Sequence, residues 1–250
     1  MTKRIAVAGK GGTGKTTFAA LLIKNLIEDG KTPILAVDAD ANANLNEALG
    51  LEVKETIGRI LDQTKERGAV PAGMTKETFI QYRLNAALSE SKDVDLLVMG
   101  GPEGPGCYCY PNDLLKKHME DLAVNYPYVV MDNEAGLEHL SRRTAGEVDV
   151  LYIVSDATAR GIRSAARAHQ LVRSLKTKVG QMHLVVTKTT GNELEALAGE
   201  IEKVGLPVAG TMPYDQKVAD YDLHGRPLVD LPGDSPAVEA VKEIWRKTEV

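Results

Sequence analysis

The chain has 250 residues, and its 35 acidic and 30 basic side chains give a formal charge of −5. This acidic balance argues against a protein that binds nucleic acid mainly through phosphate charge. The 43% apolar content is enough for a sizeable core. The longest apolar runs are far shorter than the roughly 20 residues that span a membrane. We expect one domain over residues 1–250, in the cytoplasm with reduced thiols and with no membrane or nucleic-acid partner.

Apolar runs with strand composition alternate along the chain with helical patterns. Several of these runs are apolar on both faces, as buried parallel strands are. The alternation predicts a single-domain, doubly wound α/β fold with a mostly parallel sheet and helices on both faces. Strands are predicted over 4–8, 33–37, 95–99, 128–131, 150–154, 183–186 and 207–212, and helices over 15–28, 114–124, 162–175, 193–204 and 237–246.

Residues 56–92 have the least regular pattern. A helical pattern over 57–61 is followed by Ala69-Val-Pro-Ala-Gly73, which is typical of a turn. The residues that then alternate in the manner of a strand are Ile80, Tyr82, Leu84 and Ala86. We interpret this region as an insertion that covers one end of the sheet.

A phosphate-binding motif follows the first predicted strand and opens the first predicted helix. It fits G-x-x-x-x-G-K-[ST], in which glycines let backbone N–H groups approach phosphates and the helix N-terminus adds partial positive charge. Lys15 is expected to reach the β and γ phosphates, and the Thr16 hydroxyl to bind Mg²⁺. The predicted nucleotide-binding residues here are Gly9, Lys10, Gly11, Gly12, Thr13, Gly14, Lys15, Thr16 and Thr17.

Lys10 is an unusual residue for such a loop. Two lysines in one loop repel each other unless a polyphosphate or another subunit receives one of them. The alternative is a solvated loop lysine. The sequence therefore favours a second interaction for Lys10 without identifying it.

Three aspartates lie where predicted strands end. Asp38 and Asp40 follow one strand, and Asp132 follows another in an apolar-run-then-Asp pattern typical of a Walker B motif. The carboxyl ends of parallel strands lie beside the phosphate loop, where Mg²⁺ and the attacking water must be placed. Asp132 is expected to hold Mg²⁺ through water, with Asp38 supporting the metal. A helix cap is the alternative for either residue of the first pair.

The two cysteines, Cys107 and Cys109, lie in a glycine-rich stretch after a predicted strand. Exposed thiols in a cytosolic protein usually have a chemical role, although a strained disulfide and two inert thiols are alternatives. Two thiolates can bind one soft metal ion, but they do not complete a tetrahedral site. We therefore predict a homodimer whose two pairs share one Ni²⁺ or Zn²⁺ ion. His118 and His139 are interpreted as surface residues.

The motifs resemble those of a known superfamily. Lys10-Gly-Gly-Thr-Gly-Lys-Thr16 is similar to the deviant Walker A motif of the MinD/ParA/nitrogenase iron protein superfamily of P-loop NTPases. Gly106-Cys-Tyr-Cys109 followed by Pro111-Asn-Asp-Leu-Leu115 looks like the CooC group of nickel-dependent ATPases, which mature carbon monoxide dehydrogenase and have relatives that serve acetyl-CoA synthase. The similarity extends over nearly the whole chain.

This resemblance implies a homodimer that binds nickel at Cys107 and Cys109 and couples hydrolysis of ATP to ADP to delivery of the metal into one of those apo-enzymes. It implies that Lys10 reaches the partner's nucleotide and that Asp40 activates the attacking water. The other implied nucleotide contacts are Gly136 at the γ phosphate, Thr187 and Lys188 where the family often has an asparagine, and Pro213, Tyr214 and Asp215 at the adenine.

Two other readings remain open. A reductase like the nitrogenase iron protein needs a further cysteine after the Asp132 segment, and residues 132–143 contain none. A four-iron cluster held by two Cys-x-Cys pairs is still formally allowed.

Among the positioning ATPases, MinD proteins need a basic amphipathic C-terminal helix, whereas the apolar residues after Ala237 fit core packing. ParA proteins need a basic surface for DNA, and the arginines of 160–173 fit one solvated helix face. Glu134 also stands at a position where positioning ATPases of the MinD and ParA types often have proline.

Overall fold

One parallel sheet forms the centre of the molecule. The computed structural model describes residues 2–40, 44–64, 68–100, 117, 119–133, 147–174 and 178–249. Within these ranges seven strands pair in the order β3-β2-β4-β1-β5-β6-β7, and each pairing between neighbouring strands is parallel. The strands are β1 Lys3–Gly9, β2 Ile34–Ala39, β3 Val94–Val98, β4 Tyr128–Asn133, β5 Val148–Asp156, β6 Val179–Thr189 and β7 Val208–Pro213.

Helices cover both faces of this sheet, as the sequence predicted. The described α-helices are α1 Lys15–Glu28, α2 Leu45–Leu49, α3 Ile57–Gln63, α4 Lys76–Ala86, α5 Ala159–Ser174, α6 Glu193–Ala196, α7 Ala198–Val204, α8 Gln216–Leu223 and α9 Pro236–Thr248. A short 3-10 helix spans Leu228–Asp230, and residues 119–123 are helical. The rest of the helix predicted over 114–124 lies outside the described residues.

The core consists of two apolar layers, one on each face. Successive residues of β1 alternate between them: Ile5 packs with α1, α2 and α9, whereas Ala6 packs with α3, α4, α5 and α7. Side chains alternate across a strand, so a strand buried on both faces must be apolar at every position. This is why a strand such as β2, which is buried at every position, could be predicted from an uninterrupted apolar run.

The expected strand over 80–86 is wrong, because these residues form part of helix α4. Thr75 caps this helix by accepting a hydrogen bond from the Thr78 N–H at 3.1 Å. Ile80 and Leu84 are buried four residues apart, whereas Tyr82 between them is 63% exposed. The apolar residues of α3 and α4 pack in the same cluster as those of β2 and β3, so both helices lie on a face of the sheet. That residues 56–92 are an insertion stays a prediction.

The carboxyl ends of the strands lie along one edge of the sheet. Asp132 of β4 is in register with Asp38 of β2 and with Val7 of β1. Gly9, the last residue of β1, is in register with Val154 of β5. The predicted phosphate loop and carboxylates therefore lie at the same edge. Among the described helices, none has the length and apolar character required to cross a membrane.

Candidate nucleotide-binding site

The phosphate-binding loop connects β1 directly to α1. Its backbone requires glycine at Gly9, where φ is +154° and an added Cβ would lie 2.2 Å from the Val154 carbonyl oxygen. Gly14 precedes the first residue of α1, has φ +85°, and provides no side-chain cap for the helix. The first N–H groups of α1 are thus left for a ligand, as anion binding at a helix N-terminus requires.

The two loop lysines lie in different environments. Lys15 is only 6% exposed, and its positive charge opposes the rise that burial causes in the pKa of Asp132. Lys10 is exposed on the outer side of the loop. The buried lysine is therefore close to the carboxylates of this chain, whereas Lys10 faces solvent.

Thr16 and Asp132 meet beside the loop. The Thr16 hydroxyl donates to Asp132 Oδ2 at 2.6 Å. Asp132 is 1% exposed, and its Oδ1 has no hydrogen-bond partner. Burial raises the pKa of Asp132 to about 7, with Asp38 and Asp40 adding to the rise, while Thr16 and Lys15 oppose it. A buried carboxylate oxygen without a partner, next to a threonine hydroxyl, is a donor set that fits Mg²⁺. Its role as a magnesium site stays a prediction.

Asp38 supports the chain that leaves β2. Its Oδ2 accepts hydrogen bonds from the N–H groups of Asn44 and Leu45 at 3.0 and 2.9 Å, and its Oδ1 accepts from Asp40 N–H at 3.1 Å. Burial raises its pKa, and these three N–H groups oppose the rise. The geometry thus favours the capping interpretation of Asp38, at the start of α2. Asp40 is partly buried at the mouth of the same turn.

The end of β6 holds the phosphate loop. Thr187, 0% exposed, donates its hydroxyl to the Thr13 carbonyl at 2.6 Å. Lys188 Nζ donates to the Gly12 carbonyl at 2.8 Å and also lines the cavity described next. The sequence assigned both residues to the nucleotide by resemblance, and the structure adds a role in supporting the loop itself.

A cavity of about 440 Å³ extends from the phosphate loop to the loop after β7. Pro213, Tyr214 and Asp215 are among the residues that line it. That they contact the adenine stays a prediction. The carboxylate of Asp215 accepts from the Lys217 and Ala237 N–H groups and from the Ser235 hydroxyl. Burial acts to raise its pKa, but these hydrogen bonds dominate and lower it. Asp215 therefore shapes the wall by joining α8 to α9.

Sequence reasoning did not assign six of the residues that line this cavity, namely Asn44, Met212, Val218, Ala219, Asp222 and Ala237. Asp222 also lines a second cavity of about 220 Å³, which lies beside Thr17 and α2. Burial raises the pKa of Asp222. A signal was present, since Asp222 lies two helical turns after Asp215 and therefore on the same side of α8.

Several predicted site residues lie outside the described residues. These are Cys107, Cys109 and Gly136. His118 and His139, which the sequence analysis interpreted as surface residues, also lie outside the described ranges. Within the described ranges, no group of three or more His, Cys, Asp or Glu side chains is arranged to hold a metal ion. The predicted nickel or zinc site thus stays a prediction.

Residues 5–228 match the CbiA family, described as the CobQ/CobB/MinD/ParA nucleotide binding domain. The chain belongs to this family. It is a P-loop ATPase of the MinD/ParA class, as the resemblance of its phosphate-loop motif to that superfamily implied.

Individual relatives of this MinD/ParA-class ATPase cover nearly its whole length. It is 44% identical over 246 residues to an uncharacterized ATP-binding protein of Methanocaldococcus jannaschii, covering 97% of each chain. It is 30% identical over 247 residues to the carbon monoxide dehydrogenase accessory protein CooC of Rhodospirillum rubrum, covering 94% of this chain and 91% of CooC. The MinD cell division protein of Aquifex aeolicus superposes with a TM-score of 0.71 at 25% identity, over 98% of this chain and 95% of that one.

Proposed function

We propose that this ATPase is a metallochaperone that binds nickel between two copies of the chain and delivers it to apo carbon monoxide dehydrogenase or acetyl-CoA synthase. The observation that carries the proposal is the Cys107-Tyr-Cys109 pair in a chain that is similar to CooC over 94% of its length. Thiolates are soft ligands that suit Ni²⁺ or Zn²⁺, and nickel is here the cargo. The cytoplasm is the expected location, because it keeps both thiols reduced.

The exposed position of Lys10 supports assembly of two copies. Lys15 is buried beside Asp132 and serves the nucleotide of its own chain, whereas Lys10 faces solvent and can reach a second chain. A dimer in which the two Cys107-Tyr-Cys109 segments meet would bring four thiolates together, enough for one ion. The proposed dimer therefore contains two nucleotides and one shared metal ion.

Hydrolysis is the step that would reopen this dimer. Water attacks the γ phosphorus, the bond from that phosphorus to the β–γ bridging oxygen breaks, and ADP and phosphate leave. Lys15 and the N-terminus of α1 offset the phosphate charge, Lys10 of the other copy adds to them, and Asp40 orients the water. Bound Mg²⁺, with Thr16 and Asp132 as its ligands, would supply further positive charge.

The buried face of α9 argues against a MinD-like membrane anchor. Its large apolar residues Val241, Ile244 and Trp245 are at most 1% exposed and pack in the core. An interfacial helix needs an apolar face that is free to enter the headgroup region. The described part of α9 has its apolar face covered instead.

The proposal is tested by nickel binding under anaerobic conditions. Protein prepared without metal and loaded with Ni²⁺ should retain about one ion per two chains, measured by elemental analysis after desalting. Cys107→Ser combined with Cys109→Ser should remove this nickel while Mg-ADP affinity stays unchanged, because the phosphate loop is intact. Nickel retained by the double variant would place the site elsewhere.

The same preparation distinguishes the alternatives. Iron and a broad visible absorption band in anaerobically purified protein would indicate a cluster-bearing reductase. Colourless protein that takes up nickel, and activates apo carbon monoxide dehydrogenase only when ATP is present, is the result expected for the metallochaperone. A protein that binds ATP but no metal would favour a positioning ATPase.

A further inference from the structure

Lys10 lies on a part of the phosphate loop with little side-chain packing. Cβ atoms added at Gly11 and Gly12 would meet nothing within 4 Å, and Gly12 has φ +78°. Glycine backbone of this kind has many accessible conformations. A lysine on such a segment has a fixed direction only if the backbone beside it is held.

Two hydrogen bonds from Thr13 hold the Lys10 backbone. The Thr13 N–H donates to the Lys10 carbonyl at 3.3 Å, and the Thr13 hydroxyl donates to the same oxygen at 2.7 Å. Thr13 is only 1% exposed, and its hydroxyl lies 3.3 Å from the Cβ position of Gly9. Its side chain is therefore packed against the start of the loop while it holds Lys10.

Thr13 is in turn held by Thr187. The Thr187 hydroxyl lies 2.6 Å from the Thr13 carbonyl oxygen and 3.2 Å from that of Ser155. A hydroxyl has one proton to donate, so the shorter contact identifies Thr13 as the main acceptor. Removing this donor would leave a buried carbonyl without a partner, which is a costly change.

The end of β6 is shaped for this contact. Its pairing with β7 shifts register between Thr187 and Thr189, and Lys188 between them has φ +57°. A positive φ is uncommon for a residue other than glycine. It turns the Lys188 backbone so that its side chain reaches the Gly12 carbonyl, adjacent to the carbonyl held by Thr187.

We propose that Thr187 and Thr13 are positioning residues for Lys10. Thr187 fixes the Thr13 backbone, Thr13 fixes the Lys10 carbonyl, and the Lys10 side chain then leaves the loop in one direction, toward a nucleotide on a second copy. This inference rests on the proposed function, since it needs Lys10 to act between two chains. In this role the two threonine hydroxyls bind loop carbonyls and not the phosphates or the water, whatever contacts the Thr13 backbone makes.

A double-mutant cycle tests the relay. Thr13→Val keeps the shape of the side chain and removes its hydroxyl, so it should lower the kcat for ATP about tenfold while Mg-ADP affinity stays within about threefold. Thr13→Ser restores the hydroxyl and should restore kcat. In a Lys10→Ala background, the same Thr13→Val change should lower kcat by less than about twofold, because no lysine remains to be positioned.

Thr187→Val and Thr187→Ser provide a second, independent pair with the same expected pattern. The relay is overturned if Thr13→Val lowers kcat by the same factor with and without Lys10, or if Thr13→Ser is as defective as Thr13→Val. If Lys10→Ala alone leaves kcat unchanged, catalysis between two chains fails and the relay fails with it. A large Lys10→Ala effect with additive threonine effects overturns the relay alone.

Discussion

At the scale of single residues, Asp132 shows how the site is maintained at a cost in stability. Its carboxylate is 1% exposed and half of it lacks a partner, so burial raises its pKa from 3.8 to about 7. The folded state therefore favours the protonated form. The resulting loss of stability is absent below 3.8, the pKa of this carboxyl in the unfolded chain. It grows as the pH rises from there toward 7, and it is complete above about pH 7.

Asp132→Asn should accordingly stabilise the metal-free protein at high pH. At about pH 8 in EDTA we expect the free energy of unfolding to rise by about 1–3 kcal/mol, and near pH 5 by much less, as measured by urea denaturation. The control is Asp121→Asn at an exposed position, which should change the free energy of unfolding at neither pH. Mg²⁺ should increase the ADP affinity of the wild type but not that of Asp132→Asn. A variant less stable than the wild type at the higher pH would contradict the explanation.

Asp222 is the residue that the structure adds to the predicted site. It lines both cavities at this edge, where its carboxylate can accept hydrogen bonds from the hydroxyl groups of a nucleotide sugar. Asp222→Ala should weaken ADP binding about five- to tenfold, measured by calorimetry. Asp220→Ala removes a nearby exposed carboxylate, which accepts a hydrogen bond from the Gln216 side-chain amide at 2.8 Å, and it should not change ADP binding. Equal losses in the two variants would show that general charge, not position, is responsible.

At the scale of elements, the junction of β1 and α1 depends on one close backbone approach. A methyl group at Gly9 would overlap the Val154 carbonyl of the neighbouring strand, whereas one at Gly11 would meet nothing. Gly9→Ala should therefore lower the free energy of unfolding by at least about 2 kcal/mol, and Gly11→Ala by less than about 0.5 kcal/mol. Thermal or urea unfolding of the two variants measures the difference. Similar values for both would show that β5 yields at this point.

The elements also show what local sequence could and could not predict. Apolar runs predicted the strands, most clearly β2, which is buried at every position, and less clearly β7, whose run includes Gly210 and Thr211. The phosphate-loop motif predicted the start of α1 at Lys15. Ile80 and Leu84 are four residues apart, a spacing that fits both the alternation of a strand and one turn of a helix. The signal for a helix was Thr75, the residue that caps α4. Thr187 could not be assigned to the loop from sequence, because its acceptor Thr13 is 174 residues away. Contacts of that range are decided by the sheet order.

At the scale of the whole molecule, the account requires two chains whose nucleotide and metal sites are linked. ATP would favour the closed dimer, and the closed dimer would assemble four thiolates. ATP and nickel would then each increase the binding affinity of the other by the same factor. Lys10 at the exposed tip of the loop is the described residue on which this geometry depends. The chain's similarity to CooC and its Cys107 and Cys109 pair direct the same proposal to nickel.

The most direct test is to measure the mass and nickel content of the same sample with and without ATP, using the slowly hydrolysing variant Asp40→Asn under anaerobic conditions. We predict that ATP converts a monomer into a dimer that holds one nickel ion, and that nickel tightens ATP binding by the same factor as ATP tightens nickel binding. One nickel ion per monomer, or a nickel affinity that does not change with ATP, would contradict the account.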